Sequence, residues 1–339
     1  MRVLVTGATG LVGKWVAREL AARGHAVRAL VRPASDPAPL AGLAVEIVRG
    51  DVLDAASVRA ALAGADAVVH VAGIPRIGAD AQDLAEVNVA GTEIVLGAAR
   101  EAGVARAIHT SSISAAGGTR RPGALAEDAP GNAESLGIAY VLSKLRGERL
   151  ALAEGARGLP VVVLRPGVVL GPGDTHRSSA SLVVAIAKGR LPAVLAGGTS
   201  FCDVRDVAAG FAAALERGRP GEVYALGGHN LSLAEFAARA AAMAGVRAPV
   251  RVPYPVAWAL AAAAEAAAAL RRRPPPTNRD LARAGSLYTF VSSAKAEREL
   301  GYRVRPLEEM IRDTLRDALA TGRLRPETPA LRALASSPT

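Results

Sequence analysis

"VTGATGLVGKWVARELAARGHAVRALVR", Val5–Arg32, carries three glycines in seven residues, at Gly7, Gly10 and Gly13. They follow a β-branched run and precede a helical pattern in which Leu11, Val12, Trp15, Val16 and Leu20 share one face, with Gly24 as the stop. Gly7 permits a tight turn. Gly10 leaves room for a pyrophosphate against the backbone. Gly13 lets the helix pack close to the strand. The helix then points its free N–H groups and positive dipole end at phosphate oxygens. In this strand–turn–helix setting the ligand implied is a dinucleotide.

Outward from the turn, short β-branched runs alternate with helical stretches. Strands are predicted at Arg2–Thr6, Ala26–Val31, Val45–Arg49, Ala67–Val71, Ala105–His109 and Val161–Leu164. Helices are predicted over Leu11–Arg23, Ala55–Ala63, Ala81–Ala102 and Ala139–Gly155. Such alternation implies an α/β fold, a Rossmann-type doubly wound parallel sheet with helices on both faces. Residues 1–165 read as the dinucleotide-binding domain, with later segments returning to the sheet, and 166–322 as a smaller, mainly helical substrate lobe. There Pro192–Ser200 reads as loop and Glu222–Leu226 as strand. Residues 323–339, rich in Pro, Ala and Ser, read as a frayed tail.

Composition narrows the class. The 339 residues carry a net charge of +10, almost wholly from arginine. The arginines are scattered, and no aromatic-interleaved basic patch or zinc-finger spacing marks a nucleic-acid binder. Cys202 is the only cysteine, which excludes an intrachain disulfide and fits a reducing cytoplasm. No signal-peptide pattern opens the chain and no metal-ligand cluster is evident. The longest apolar run, Tyr254–Leu270, is short for a bilayer span, mostly alanine, and contains Glu265. It reads as a buried or surface-lying helix, with peripheral membrane contact open.

Two further features carry chemistry. Where an acidic residue would bind a ribose 2′-hydroxyl, the second strand ends on Val31 and Arg32. A guanidinium there pairs with a 2′-phosphate, favouring NADP(H) over NAD(H), with Arg28 four residues earlier on the same face. Tyr140 and Lys144 stand four apart at the start of a predicted helix, on one face. An ammonium and a cofactor cation beside a phenol are expected to lower its pKa from ~10 towards neutrality.

In combination these motifs resemble the extended short-chain dehydrogenase/reductases, over residues 1–320. The G-x-x-G-x-x-G turn, "GDVLD" at Gly50–Asp54, "HVAG" at His70–Gly73, Asn88 in "EVNVAGT" and "LRPGVVLGPGD" at Leu164–Asp174 carry the likeness. The resemblance implies cofactor contacts at Thr6, Gly7, Thr9, Gly10, Leu11, Val12, Gly13, Arg32, Asp51, Val52, Val71, Ala72, Gly73, Asn88, Tyr140, Lys144, Pro166, Gly167 and Val168. It implies a catalytic Ser112, with Ser111 and Ser114 as alternatives, beside Tyr140 as the proton-transfer group and Lys144. Ser114, His176 and Phe201 are candidate substrate contacts, and Phe201, Tyr254 and Trp258 are expected near the cleft.

Within that family, "VRALVR" resembles the dihydroflavonol-4-reductase-like branch. The C-terminal half is similar to hopanoid-associated epimerase-like and 3β-hydroxysteroid dehydrogenase-like proteins. The expected activity is NADP(H)-dependent interconversion of a carbonyl and an alcohol on a small-to-medium apolar substrate. A sterol-like dehydrogenase and a nucleotide-sugar epimerase or dehydratase remain alternatives. Thr199 and Ser200 stand where sugar-nucleotide enzymes carry a diphosphate-gripping arginine. A dinucleotide sensor without catalysis is a third reading. A homodimer through the helices in Ala81–Ala102 and Ala139–Gly155 is a candidate assembly.

Overall fold

The computed structural model of the chain describes residues 1–125, 131–174, 180–271 and 277–336. Its strands begin with β1 (Arg2–Thr6), β2 (Ala26–Val31), β3 (Val45–Arg49), β4 (Ala67–His70) and β5 (Arg106–Thr110). The short β6 (Ala124–Leu125) follows, then β7 (Val161–Pro166), β8 (Val168–Leu170), β9 (Ala193–Leu195) and β10 (Gly198–Asp203). The last are β11 (Val223–Leu226), β12 (His229–Ser232), β13 (Val250–Val252) and β14 (Tyr288–Val291).

Seven strands form a parallel sheet in the order β11-β7-β5-β4-β1-β2-β3. This is a Rossmann-type doubly wound sheet. The order reverses between β1 and β4, and in open sheets of this kind the crevice at the carboxyl ends of such a pair receives the ligand. The central strands are nearly continuous runs of Val, Leu, Ile and Ala, as expected of strands buried on both faces. One core layer packs the helices Leu11–Ala22 and Val204–Arg217 onto the sheet through Val16, Leu20, Phe211 and Leu215. The opposite layer holds Leu4, Leu62, Val68, Leu96 and Val161.

The expected helix Ala81–Ala102 is broken into Ala81–Ala85, a π-helical turn Glu86–Ala90 and Gly91–Glu101. The wide turn brings Asn88 inward, where it is 3% exposed. The second lobe is not purely helical. β12, β10, β14 and β6 form a second sheet, with β8 paired to β10. The expected loop Pro192–Ser200 therefore contains β9 and the start of β10. Every residue of β10 is buried, so it lacks the inside–outside alternation that marks a strand in sequence.

The expected tail is also ordered as far as Ser336. Helix Pro329–Ser336 packs Leu331, 1% exposed, into the lobe core with Phe236, Met310 and Ile311. Many scattered arginines have acidic partners: Arg205 with Asp203 and Asp313, Arg100 and Arg157 with Glu154, Arg305 with Asp206. Among the described residues no helix is long and apolar enough to cross a membrane.

Leu331→Ala is expected to destabilise the fold by about 2–5 kcal/mol, the cost of an emptied core site. Urea unfolding measures it, and an unchanged midpoint would show that this helix does not dock.

Candidate active site

The glycine turn fits the ligand it suggests. Gly7 has φ +68°, and a Cβ there would lie 2.7 Å from the Ala72 nitrogen, so the ends of β1 and β4 approach closely. A Cβ on Gly13 would come within 2.1 Å of the Gly7 oxygen, so the helix rests directly on the turn. Gly10 is extended (φ −79°, ψ 169°) and caps the helix without a side chain. The first-turn N–H groups thus point outward, uncapped by any side chain, as an anion cradle. Leu11 and Val12 turn their side chains to the core and offer backbone donors there, while Thr9 is half-buried beside them. No metal-ligand cluster of three or more His, Cys, Asp or Glu converges among the described residues.

Thr6 departs from its expected role. Its side chain is fully buried and joins a hydrogen-bonded chain beneath the crevice. The Ala72 N–H donates to Thr6 Oγ1 (3.2 Å), which lies 2.8 Å from His70 Nδ1. His70 Nε2 meets Thr92 Oγ1 at 3.2 Å, and Thr92 donates to the Asn88 carbonyl (2.9 Å). Asn88 receives the Ile74 N–H on Oδ1 (2.7 Å) and donates to Ser143 Oγ (3.0 Å), which donates to the Tyr140 carbonyl (2.8 Å). Asn88 is therefore a latch between the segment after β4 and the helix Ala139–Ala156. Its side chain is engaged by protein rather than open to a ligand.

That helix carries Tyr140 and Lys144 to the carboxyl end of β5. Lys144 is 8% exposed and donates to the Thr110 carbonyl (2.9 Å). A Cβ on Gly73 would lie 3.6 Å from Lys144 Nζ, which places Val71, Ala72 and Gly73 beside the ammonium. Burial holds Lys144 down at about 8, opposed by the charge of Glu148 one turn on. The Tyr140 phenol is pushed above its ordinary value by burial, and hydrogen bonds to the Ser112 and Ser114 hydroxyls pull it back. The direction in the protein alone is thus opposite to that expected with an ammonium and a cofactor cation beside the phenol, and burial is its cause. Ser112 and Ser114 lie 2.8 Å apart through their hydroxyls. Ser111 points away and donates to Glu148 (2.6 Å), which Arg165 grips through two nitrogens (2.8 and 2.5 Å). The open choice among the three serines thereby narrows to Ser112 and Ser114.

Around this centre, Arg32 is exposed at the end of β2. Arg28 is not beside it functionally: it pairs with Glu46 (3.0 Å) and caps the Ala61 and Ala63 carbonyls. Asp51 accepts the Leu53 N–H (3.0 Å), and Val52 is buried in the core layer against Gly91. Pro166, Gly167 and Val168 run from β7 into β8. Phe201 is fully buried, stacked on Phe236 at 3.9 Å in the lobe core, so it is not a substrate contact. Its place in β10 points it inward. Trp258 is 40% exposed on an outer helix. Thr199 and Ser200 bond within the second sheet, to Thr289 (2.9 Å) and the Gly228 N–H (2.8 Å). His176 lies outside the described residues.

Sequence reasoning missed Lys14 and Trp15, which donate from the first helix to the carbonyls of Gly173 (3.0 Å) and Pro172 (2.9 Å). It also missed Arg49, which bonds the carbonyls of Arg32 (3.1 Å) and Ser35 (2.8 Å) and so shapes the loop that Arg32 opens. Carbonyl acceptors leave no mark on sequence, and only the G-P-G bend hinted at the first.

The buried chain is acid-sensitive. Burial, then the Lys144 charge, lowers His70 from 6.5 to about 3, and burial lowers His109 in the same direction. Below pH 6.5 the unfolded chain binds protons the folded one refuses, so stability is present above that pH and falls as acid is added. Between pH 7 and 5 the wild type is expected to lose on the order of 2 kcal/mol more than His70→Gln, read by urea unfolding at each pH. Equal losses would mean that His70 is already protonated in the fold.

Comparison with known proteins places the chain. The profile of the NAD dependent epimerase/dehydratase family matches residues 3–227. The chain is 38% identical to sterol demethylase protein B of Methylococcus capsulatus over 238 residues, 70% of this chain and 72% of that one. It is 32% identical to the 4-hydroxy-2-methyl-3-oxo-4-farnesyl-3,4-dihydroquinoline-1-oxide ketoreductase of Stigmatella aurantiaca, over 95% of this chain and 98% of that one. Among solved structures, gox2253 superposes with a TM-score of 0.85 at 35% identity, covering 95% of this chain and 99% of the other. With its seven-stranded parallel sheet, its glycine cradle at the β1–β4 reversal and its Tyr140–Lys144 helix, the chain belongs to the NAD-dependent epimerase/dehydratase family, the extended short-chain dehydrogenase/reductases.

Proposed function

We propose that this chain is an NADP(H)-dependent oxidoreductase that interconverts a carbonyl and an alcohol on an apolar, lipid-like substrate. The observation that supports the reading is a buried Tyr140 phenol hydrogen-bonded to the paired hydroxyls of Ser112 and Ser114, on the same helix as Lys144, whose ammonium meets the Thr110 carbonyl at the carboxyl end of β5.

The nicotinamide supplies or accepts hydride when bound; the protein manages the oxygen and its proton. Ser112 and Ser114 hold the substrate oxygen by hydrogen bonds beside the phenol. Tyr140, a neutral donor in its buried setting, gives its proton to the oxygen in reduction and takes it back in oxidation. Lys144, near 8, sits close enough to neutrality to restore the tyrosine proton and carries a donor towards the cofactor ribose. The turn Gly7–Gly13 and the first-turn amides cradle the pyrophosphate. Arg32 pairs with the 2′-phosphate. The apolar substrate class is supported by the sterol and farnesyl-quinoline names of the two relatives. The commitment of Thr199 and Ser200 to the second sheet supports it as well.

Tyr140→Phe is expected to lower turnover about 10²–10⁴-fold while NADPH still binds, read by nicotinamide absorbance and fluorescence. Retained turnover refutes the proton-transfer role. Arg32→Ala is expected to weaken NADPH binding about 10- to 100-fold and leave NADH nearly unchanged, the loss of one charge-assisted pair. Tighter binding of NADH by the wild type, or turnover of a nucleotide sugar without net absorbance change, would overturn the assignment.

A further inference from the structure

The helix Tyr254–Arg271 carries one acid, Glu265, among apolar residues from Pro255 to Leu270, and buries only a narrow stripe against protein. Ala257 and Ala261, four residues apart, are buried against Ala282, Leu195 and Val252. Every exposed residue from Pro255 to Leu270 is apolar, including Val256 (50% exposed), Trp258 (40%), Leu260 (60%) and Leu270 (88%). The single acid of the helix, Glu265, is neutralised by Arg279 at 2.6 Å. Val250, 56% exposed, precedes the helix, and Leu281, 38% exposed, stands on the adjoining helix Arg279–Ala284. Among the described residues, six exposed large apolar side chains thus gather on and around this one helix, while Met1, Ile47, Leu53 and Val304 are scattered elsewhere. A helix apolar on all sides belongs in a core or against a membrane, and this one has only half a core.

We propose that this ridge seats the protein on a bilayer surface bearing anionic headgroups, with the helix lying in the interface rather than crossing it. Charge and composition favour lipid over a second protein. Arg247 and Arg251 are exposed just before the helix, and the chain as a whole carries +10. Each cation near an anionic leaflet contributes about 1 kcal/mol of attraction. Trp258 has the amphipathic ring that settles at headgroup depth. The rest of the face is mostly alanine, a residue depleted from protein–protein interfaces, which offers little relief for a partner to grip. A bilayer needs no such relief and covers whatever apolar area it meets.

The position has a use. Helix Arg279–Ala284 links the ridge to the catalytic region: Ala282 packs on the ridge helix, while Ala284 joins the apolar cluster that contains Tyr140. The seated face therefore lies one helix away from the catalytic tyrosine.

The test is co-sedimentation of the full chain with phosphatidylcholine vesicles, with and without phosphatidylglycerol. Binding to the anionic vesicles is expected, weakening as salt is raised from about 0.05 to 0.5 M. The double variant Val256→Glu, Leu260→Glu, both at exposed positions, is expected to lose at least about tenfold in vesicle partitioning with NADPH affinity intact. Trp258 emission is expected to shift to the blue on anionic vesicles in the wild type. No sedimentation with either vesicle overturns the proposal. So does a wild-type dimer by analytical ultracentrifugation that the double variant converts to monomer, because the ridge would then belong to a second copy. Loss of NADPH affinity in the Tyr140→Phe enzyme would affect the activity assignment and leave this one standing.

Discussion

A neutral imidazole at position 70 is the constraint on which the site's geometry depends. With its proton on Nε2, every donor in the chain from the Ala72 amide through Thr6, His70 and Thr92 to the Asn88 carbonyl finds one acceptor, in one direction. A second proton on the ring would leave the Thr6 hydroxyl facing two donors with nowhere to place its own hydrogen. The chain crosses from β1 to β4, reaches the π-helical turn and ends on the helix that carries Tyr140. It links the glycine turn to the helix of Tyr140 through buried side chains. Placing such polar groups under the floor of the crevice is tolerable only because each is paired.

The same logic explains the second buried network. Glu148 lies on the face that holds Tyr140 and Lys144, and Arg165 and Ser111 satisfy both of its oxygens. The charge of Glu148 raises the pKa of Lys144 against the pull of burial, and Arg165 holds the carboxylate in place through two nitrogens. The Lys144 ammonium therefore stands one turn from a carboxylate that a guanidinium from β7 grips, and the helix Ala139–Ala156 is tied to the central strand through that same pair.

Much of this was legible in the sequence where periodicity speaks. β1, β2 and β3 fall on their expected residues and the first helix ends within one residue of its own, because alternation, helical spacing and the glycine stop agree there. The glycine turn and the Tyr140–Lys144 pair were readable because phosphate cradling and paired proton chemistry each demand fixed spacing. The second sheet was not readable. Its strands are short, β10 is buried on both faces, and Gly197 and Gly198 read as loop although they serve close packing. The inward turn of Asn88 depends on one extra residue per turn, which no composition rule announces. Phe201 misled because an aromatic beside a family motif looks like a pocket wall, whereas its stack on Phe236 is a core contact. The tyrosine's direction in the protein alone was not legible, because spacing locates an ammonium on a face but not the burial of the phenol or the carbonyl that the ammonium meets.

The bonds from Lys14 and Trp15 to the carbonyls of Gly173 and Pro172 tie two distant parts of the chain into one piece. They bolt the first helix, whose uncapped end faces the crevice between β1 and β4, to the bend that follows β8. Displacing that bend breaks both bonds, so the glycine turn and the start of the second lobe keep one fixed spacing.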